Sequence, residues 1–130
     1  MDETANKTGG FVNFTNHPSS MWEEAQTRAA LAYGAPILDL PFPKVDPIAD
    51  ETDLQILAER KAAEILSLHP AAVLCQGEFG LCFSVIRRLQ AAGVRVLHAC
   101  SERNVHEEGS VKTVRFDFVK FRAYEGESRN

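Results

Sequence analysis

Apolar positions along this chain follow two rhythms that take turns, one of short continuous runs and one of helical period. Phe11, Val12 and Phe14 form a first short strand, which ends in the polar turn Thr15-Asn16-His17-Pro18-Ser19. Trp22, Ala25, Ala29 and Tyr33 then recur at helical spacing, and Gly34 suits the left-handed position that ends a helix. That helix is expected to start at Ser19 or Ser20, with Ser20 and Glu23 at capping-box spacing. Pro36-Ile37-Leu38-Asp39-Leu40 is a second strand. Pro41, Pro43 and Pro47 hold the next stretch as a stiff extended loop. Asp50 then caps a helix to about Leu68, with Leu54, Leu57, Ala58, Ile65 and Leu68 as its buried stripe.

Ala71 to Cys75 is wholly apolar, as suits a central parallel strand covered on both faces. A helix from about Phe79 to Ala92 buries Cys82, Val85, Ile86 and Leu89, and Gly93 ends it. Val94 to Cys100 is a fourth strand. The order βαβαβαβ predicts an α/β fold, a three-layer sandwich on a mostly parallel sheet. The last third alternates instead, with Val114, Phe116 and Phe118 against Arg115 and Asp117. The alternation slips at Phe118-Val119, where one extra residue predicts a β-bulge. This strand, Val111 to Tyr124, is expected to close an antiparallel C-terminal hairpin across a turn at Glu107-Glu108-Gly109-Ser110. The domain then spans 10–124, between a disordered lead (1–9) and a flexible tail (125–130).

Composition narrows the class. With 130 residues, 45% hydrophobic and 25% charged, the chain has the makings of one globular core. No apolar run approaches the ~20 residues that cross a bilayer. The N-terminus lacks the basic-then-apolar order of a secretory signal, so a cytoplasmic protein with no membrane partner is expected. Cys75, Cys82 and Cys100 are odd in number and show no Cys-x-x-Cys spacing, which favours buried free thiols over disulfides or zinc. Residues 1–70 carry 5 Lys/Arg against 11 Asp/Glu, and residues 71–130 carry 9 against 7. That balance excludes a broad basic face for duplex nucleic acid but leaves room for a small anion held by a few donors.

In open α/β sheets ligands bind outside the carboxyl ends of the strands. Three polar segments fall at such ends and are expected to form loops around one site: Asn13, Thr15, Asn16, His17 and Ser19; Gln76, Gly77 and Glu78; and Ser101, Glu102 and Arg103. Each also has a plainer reading. The first is a turn with a helix cap, Glu78 serves a helix dipole, and Glu102-Arg103 is a surface ion pair. In the functional reading, free amides at a helix start and the His17 imidazole hold a phosphate, with Arg103 clamping an anion. His69, His98 and His106 are weaker candidates. Neither a Walker loop, a GxGxxG fingerprint, a Gly-x-Ser-x-Gly elbow nor metal-ligand spacing is present, so no cofactor and no metal are expected.

Phe11-Val-Asn-Phe-Thr-Asn-His-Pro-Ser-Ser-x-Trp, then Gln26, Asp39-Leu-Pro-Phe-Pro-x-Val-Asp-Pro, Gln76-Gly-Glu-Phe and Cys100-Ser-Glu-Arg together resemble the small stand-alone CRISPR-associated proteins of type III systems proposed as ring nucleases. The resemblance covers most of residues 10–122. It implies a Rossmann-like domain that forms a homodimer and binds cyclic oligoadenylate, most often the four-adenosine ring. It further implies metal-independent cleavage by attack of a ribose 2′-hydroxyl on its own phosphate, which ends the antiviral signal. His17, Asn16 and Arg103 would then be catalytic, and Asn13, Thr15, Ser19, Gln76, Gly77, Glu78, Ser101 and Glu102 would bind ligand. Two other readings stand beside it: a non-catalytic nucleotide sensor, and an interaction module using the exposed edge of the C-terminal hairpin.

Overall fold

A computed structural model describes residues 9–126. Most of the expected lead and the end of the tail lie outside the described residues. Gly9 is half-buried against His69 and Ala71, and the Glu125 carbonyl accepts from Gln90 Nε2 at 3.2 Å. The elements are β1 (Phe11–Phe14), α1 (Glu24–Tyr33), β2 (Ile37–Asp39), α2 (Glu51–Leu66), β3 (Ala72–Cys75), α3 (Phe79–Ala91), β4 (Val96–Glu108) and β5 (Val111–Ala123). They form one five-stranded sheet in the order β2-β1-β3-β4-β5, parallel except for β5, which runs antiparallel to β4.

Helices cover both faces because the short strands are apolar on both. Val12, Phe14, Val73, Cys75 and Val96 pack against Ala58, Ala62 and Ile65 of α2 and Leu81, Cys82, Val85, Ile86 and Leu89 of α3. On the other face, Phe11, Ala72, Leu74, Leu97 and Phe121 meet Ala29, Ala30 and Trp22. Period-2 alternation sends successive residues to opposite layers, so the four buried residues of β1 serve two cores at once.

Several local expectations are corrected. No α-helix begins at Ser19 or Ser20. Ser19–Met21 is a single 3-10 turn, and α1 begins at Glu24 behind Glu23, which makes no side-chain cap. Ser20 and Glu23 therefore form no capping box. Ala25 faces solvent, and Ala30 takes the buried position instead. Gly34 is extended, at φ −179°, and a side chain there would strike the Gly9 carbonyl and the Ala71 side chain. Close approach, not a left-handed turn, explains it. In α2, Asp50 and Asp53 form a reciprocal capping box, with Asp53 N donating to Asp50 Oδ1 at 3.0 Å. Leu68 lies beyond that helix and is largely exposed. Gly93 takes φ +83° where α3 ends.

The largest correction concerns the hairpin. Ser101-Glu102-Arg103 is not a loop: β4 continues to Glu108, and only Gly109-Ser110 turns. Ser101 to Glu108 and Val111 to Phe118 form a two-stranded arm beyond the sheet, about 26 Å long at ~3.3 Å per residue. The bulge falls where the alternation slips: Cys100 pairs with Lys120 and Ser101 with Phe118, leaving Val119 as the extra residue.

Candidate functional site

The strand order reverses between β1 and β3, since β2 lies to one side of them and β4 to the other. Chains leaving β1 and β3 there diverge, and a crevice opens outside their carboxyl ends. A cavity of about 340 Å³ occupies this position on the α1 side of the sheet. Thr15 and His17 reach it from the end of β1, Gln76 from β3, and Ser101 from β4. All three expected segments thus contribute, and Trp22, Gln26, Phe116 and Phe118 complete much of the wall.

The floor is a hydrogen-bonded knot around Asn13, which is 1% exposed. Its Nδ2 donates to the His17 carbonyl at 2.8 Å and to Asp39 Oδ1 at 2.9 Å, while its Oδ1 accepts from Thr15 Oγ1 at 2.8 Å. Thr15 Oγ1 in turn accepts from the His17 amide at 3.0 Å. Trp22 Nε1 donates to the same His17 carbonyl at 3.2 Å. The backbone of His17 is therefore pinned from several sides, while its imidazole stands exposed at the cavity. Asn16 lies on the same turn, exposed, and does not line the cavity.

Ser19 is used differently from expectation. Its amide and hydroxyl both donate to Asp39, the hydroxyl to Oδ2 at 3.0 Å. The protein's own carboxylate occupies the place expected for a bound anion. The start of α1 is equally unsuited to an anion, because Glu23 and Glu24 sit there. In the second segment, Gln76 Oε1 accepts from the Ala99 amide, which fixes the carboxamide and leaves its Nε2 donors toward the cavity. Glu78 caps α3, accepting from the Leu81 amide at 2.7 Å. Gly77 packs on the buried Phe42 ring, where a Cβ would stand 2.5 Å from the nearest ring carbon. Neither Gly77 nor Glu78 lines the cavity.

The third segment is a strand, so its residues alternate between faces. Ser101 pairs with Phe118 and Arg103 with Phe116, so these four share the cavity-side face, and Glu102 and Asp117 point to the other. Arg103 stands one step beyond the cavity wall, exposed, and makes no ion pair among the described residues. Glu23 crosses from the start of α1 to accept from the Phe118 amide at 3.4 Å, tying that helix to the arm.

Trp22, Gln26, Phe116 and Phe118 were not among the expected site residues. Trp22 reads as part of a helical stripe, and Phe116 and Phe118 as one side of an alternating strand. The signal that they line a site was topological: a strand as long as Val111 to Tyr124 needs an equally long partner, which swings Phe116 and Phe118 over the end of β3. Among the described residues, no three His, Cys, Asp or Glu side chains converge in a metal-binding group. No helix among them is long and apolar enough to cross a membrane.

The fold and this cavity together define an α/β protein with a crevice at the reversal point of its sheet, walled by aromatic rings and a few fixed polar groups. No curated protein matches the chain. The family model described as "Uncharacterized protein MJ1673 family" matches residues 10–122, and the chain belongs to that family.

Proposed function

We propose that this is a cytoplasmic, metal-independent ring nuclease for cyclic oligoadenylate, built on a Rossmann-like domain and serving to end type III CRISPR signalling. One observation carries the reading: three aromatic side chains, Trp22, Phe116 and Phe118, and the fixed Gln76 carboxamide surround a cavity with His17 at its rim. About 340 Å³ lies at the lower end for small-ligand sites and suits one nucleoside unit rather than a whole ring. The wall holds no Lys or Arg and one carboxylate, Glu23, so the base is the part that enters. A base stacked on such rings gains about 1–3 kcal/mol. The phosphates stay at the mouth, within the reach of His17 and the cavity-side face that carries Ser101 and Arg103.

The ring supplies its own nucleophile. The 2′-oxygen attacks the adjacent phosphorus, the 5′-oxygen leaves, and a 2′,3′-cyclic phosphate remains. The protein has to align these atoms and move one proton each way. His17 is the group placed for that transfer, and Ser101 and Arg103 face the developing charge. A two-fold ring asks for each site twice, which a homodimer provides. The exposed apolar stripe of the arm, Val105, Val114 and Phe116, supports such an interface.

Labelled cyclic tetra-adenylate incubated with excess protein in EDTA should yield linear products ending in the cyclic phosphate. His17→Ala should slow this by about 10²–10⁴-fold. An intact ring after prolonged incubation with excess wild type rejects the proposal. A second reading, a sensor that binds without turnover, is favoured by Asn16 and Arg103 lying outside the cavity wall. It predicts ligand-dependent thermal stabilisation with no linear product.

A further inference from the structure

β3 ends at Cys75, and Cys82 lies in the first turns of α3, with the Gln76-Gly77-Glu78 loop between them. Both thiols are buried, and their sulfurs are 3.5 Å apart. That is van der Waals contact between two groups whose joint oxidation needs only a contraction to about 2.05 Å. The third cysteine, Cys100, lies away on β4, opposite Lys120. Tyr124 closes the far side, its hydroxyl donating to the Cys75 carbonyl at 2.8 Å. This pair plays no part in the cavity chemistry.

We propose that Cys75 and Cys82 are a two-thiol modification site, at which a peroxide converts the contact into an intramolecular disulfide. The two sulfurs have different roles. The hydrogen bond from the Cys75 thiol, the largest influence, holds the Cys82 thiol below its ordinary range despite its burial. The same hydrogen bond and burial push Cys75 up. Cys82, 7% exposed where Cys75 is fully buried, is the sulfur a peroxide reaches first, which makes it the attacking sulfur and Cys75 the resolving one. The Cys82 thiolate attacks one peroxide oxygen, the O–O bond breaks, and hydroxide leaves with a proton as water. The resulting sulfenic acid is attacked by the Cys75 sulfur, which loses its proton as the second water forms. Two thiols and one hydrogen peroxide become one disulfide and two waters, each sulfur giving up one electron. The product bond ties the end of β3 to α3 across the residue, Gln76, that fixes the cavity wall.

The chain makes the test direct. No Lys or Arg lies between Lys61 and Arg87, so one tryptic peptide, 62–87, carries both cysteines and excludes Cys100. Folded full-length protein is treated with a small excess of hydrogen peroxide, quenched with an alkylating agent in denaturant, and digested. The expected result is a fall from three alkylated thiols to one, with peptide 62–87 lighter by 2 Da than its reduced form and restored by dithiothreitol. Cys100→Ala should behave alike. Cys82→Ala should leave Cys75 alkylated, and the wild-type result decides the matter even if that variant does not fold. Three persistent thiols, oxygen adducts on 62–87 in place of the 2 Da loss, or a cross-link between chains that vanishes in Cys100→Ala would each overturn the proposal.

Discussion

Asn13 shows how much one buried amide can hold. Its three polar contacts join the end of β1, the end of β2 and the His17 turn. Asn13→Ala removes the one donor shared by the Asp39 carboxylate and the His17 carbonyl and takes the 2.8 Å acceptor from the buried Thr15 hydroxyl, and should cost about 1–3 kcal/mol, read from urea unfolding. His17 should lose its fixed position in the same variant. Sequence pattern placed Asn13 at the site but could not assign it this structural role, because its partner Asp39 is 26 residues away and reads as the polar member of a short strand. Glu78 was legible as a helix-start residue, and that is its role. His98 carries a pH prediction. Burial first, and then the Arg122 charge, lowers its pKa below the ordinary 6.5. The unfolded chain therefore binds this proton more readily, so stability falls as pH drops through and below that ordinary value. Denaturant midpoints measured from pH 8 to pH 5 should show a shallower loss in His98→Gln than in wild type.

Among the elements, the parallel strands and α2 and α3 were legible because burial on two faces leaves unbroken apolar runs and strong helical stripes. The arm was only half legible. β5 alternates, so it announced itself, and its slip located the bulge. Its partner segment, Ser101 to His106, is polar at all but one position, and nothing local distinguishes it from a loop; pairing with β5 makes it a strand. A ribbon of two strands with no third layer is marginal in water. The Asn104–Asp117–Arg115 contacts brace one face, and the donors, Asn104 before Arg115, hold the Asp117 carboxyl below its usual range. In dilute protein, arm amides at 102–107 and 112–117 should exchange with deuterium at least about tenfold faster than those of Ala72–Cys75. Equal protection would mean that the arm is covered even in the dilute chain.

At the scale of the whole molecule, apolar surface is distributed unevenly. Phe116 is 64% exposed, and Val105 and Val114 stand beside it on the cavity-side face of the arm. If this stripe is the dimer contact proposed above, Val114→Thr with Phe116→Ser should yield monomers in sedimentation while leaving the far-ultraviolet circular dichroism of the fold unchanged. A dimer surviving that pair of changes would move the interface elsewhere. The three-layer organisation was open to reading because it follows from repeated local patterns. The cavity was less so, since its wall is drawn from residues at 15, 22, 76 and 116 that meet only when the sheet is assembled.

The extra residue at Val119 has a consequence for what the crevice can hold. In an unbroken β5, the residues sharing a side with Phe121 would be Val119, Asp117, Arg115 and Thr113. With one residue inserted they are Phe118, Phe116, Val114 and Lys112. A single position thus acts as a parity switch: it decides whether the chamber is roofed by hydrocarbon or by charge. The same residues paired in straight register, without the bulge, would turn Asp117 and Arg115 toward the crevice in place of Phe118 and Phe116.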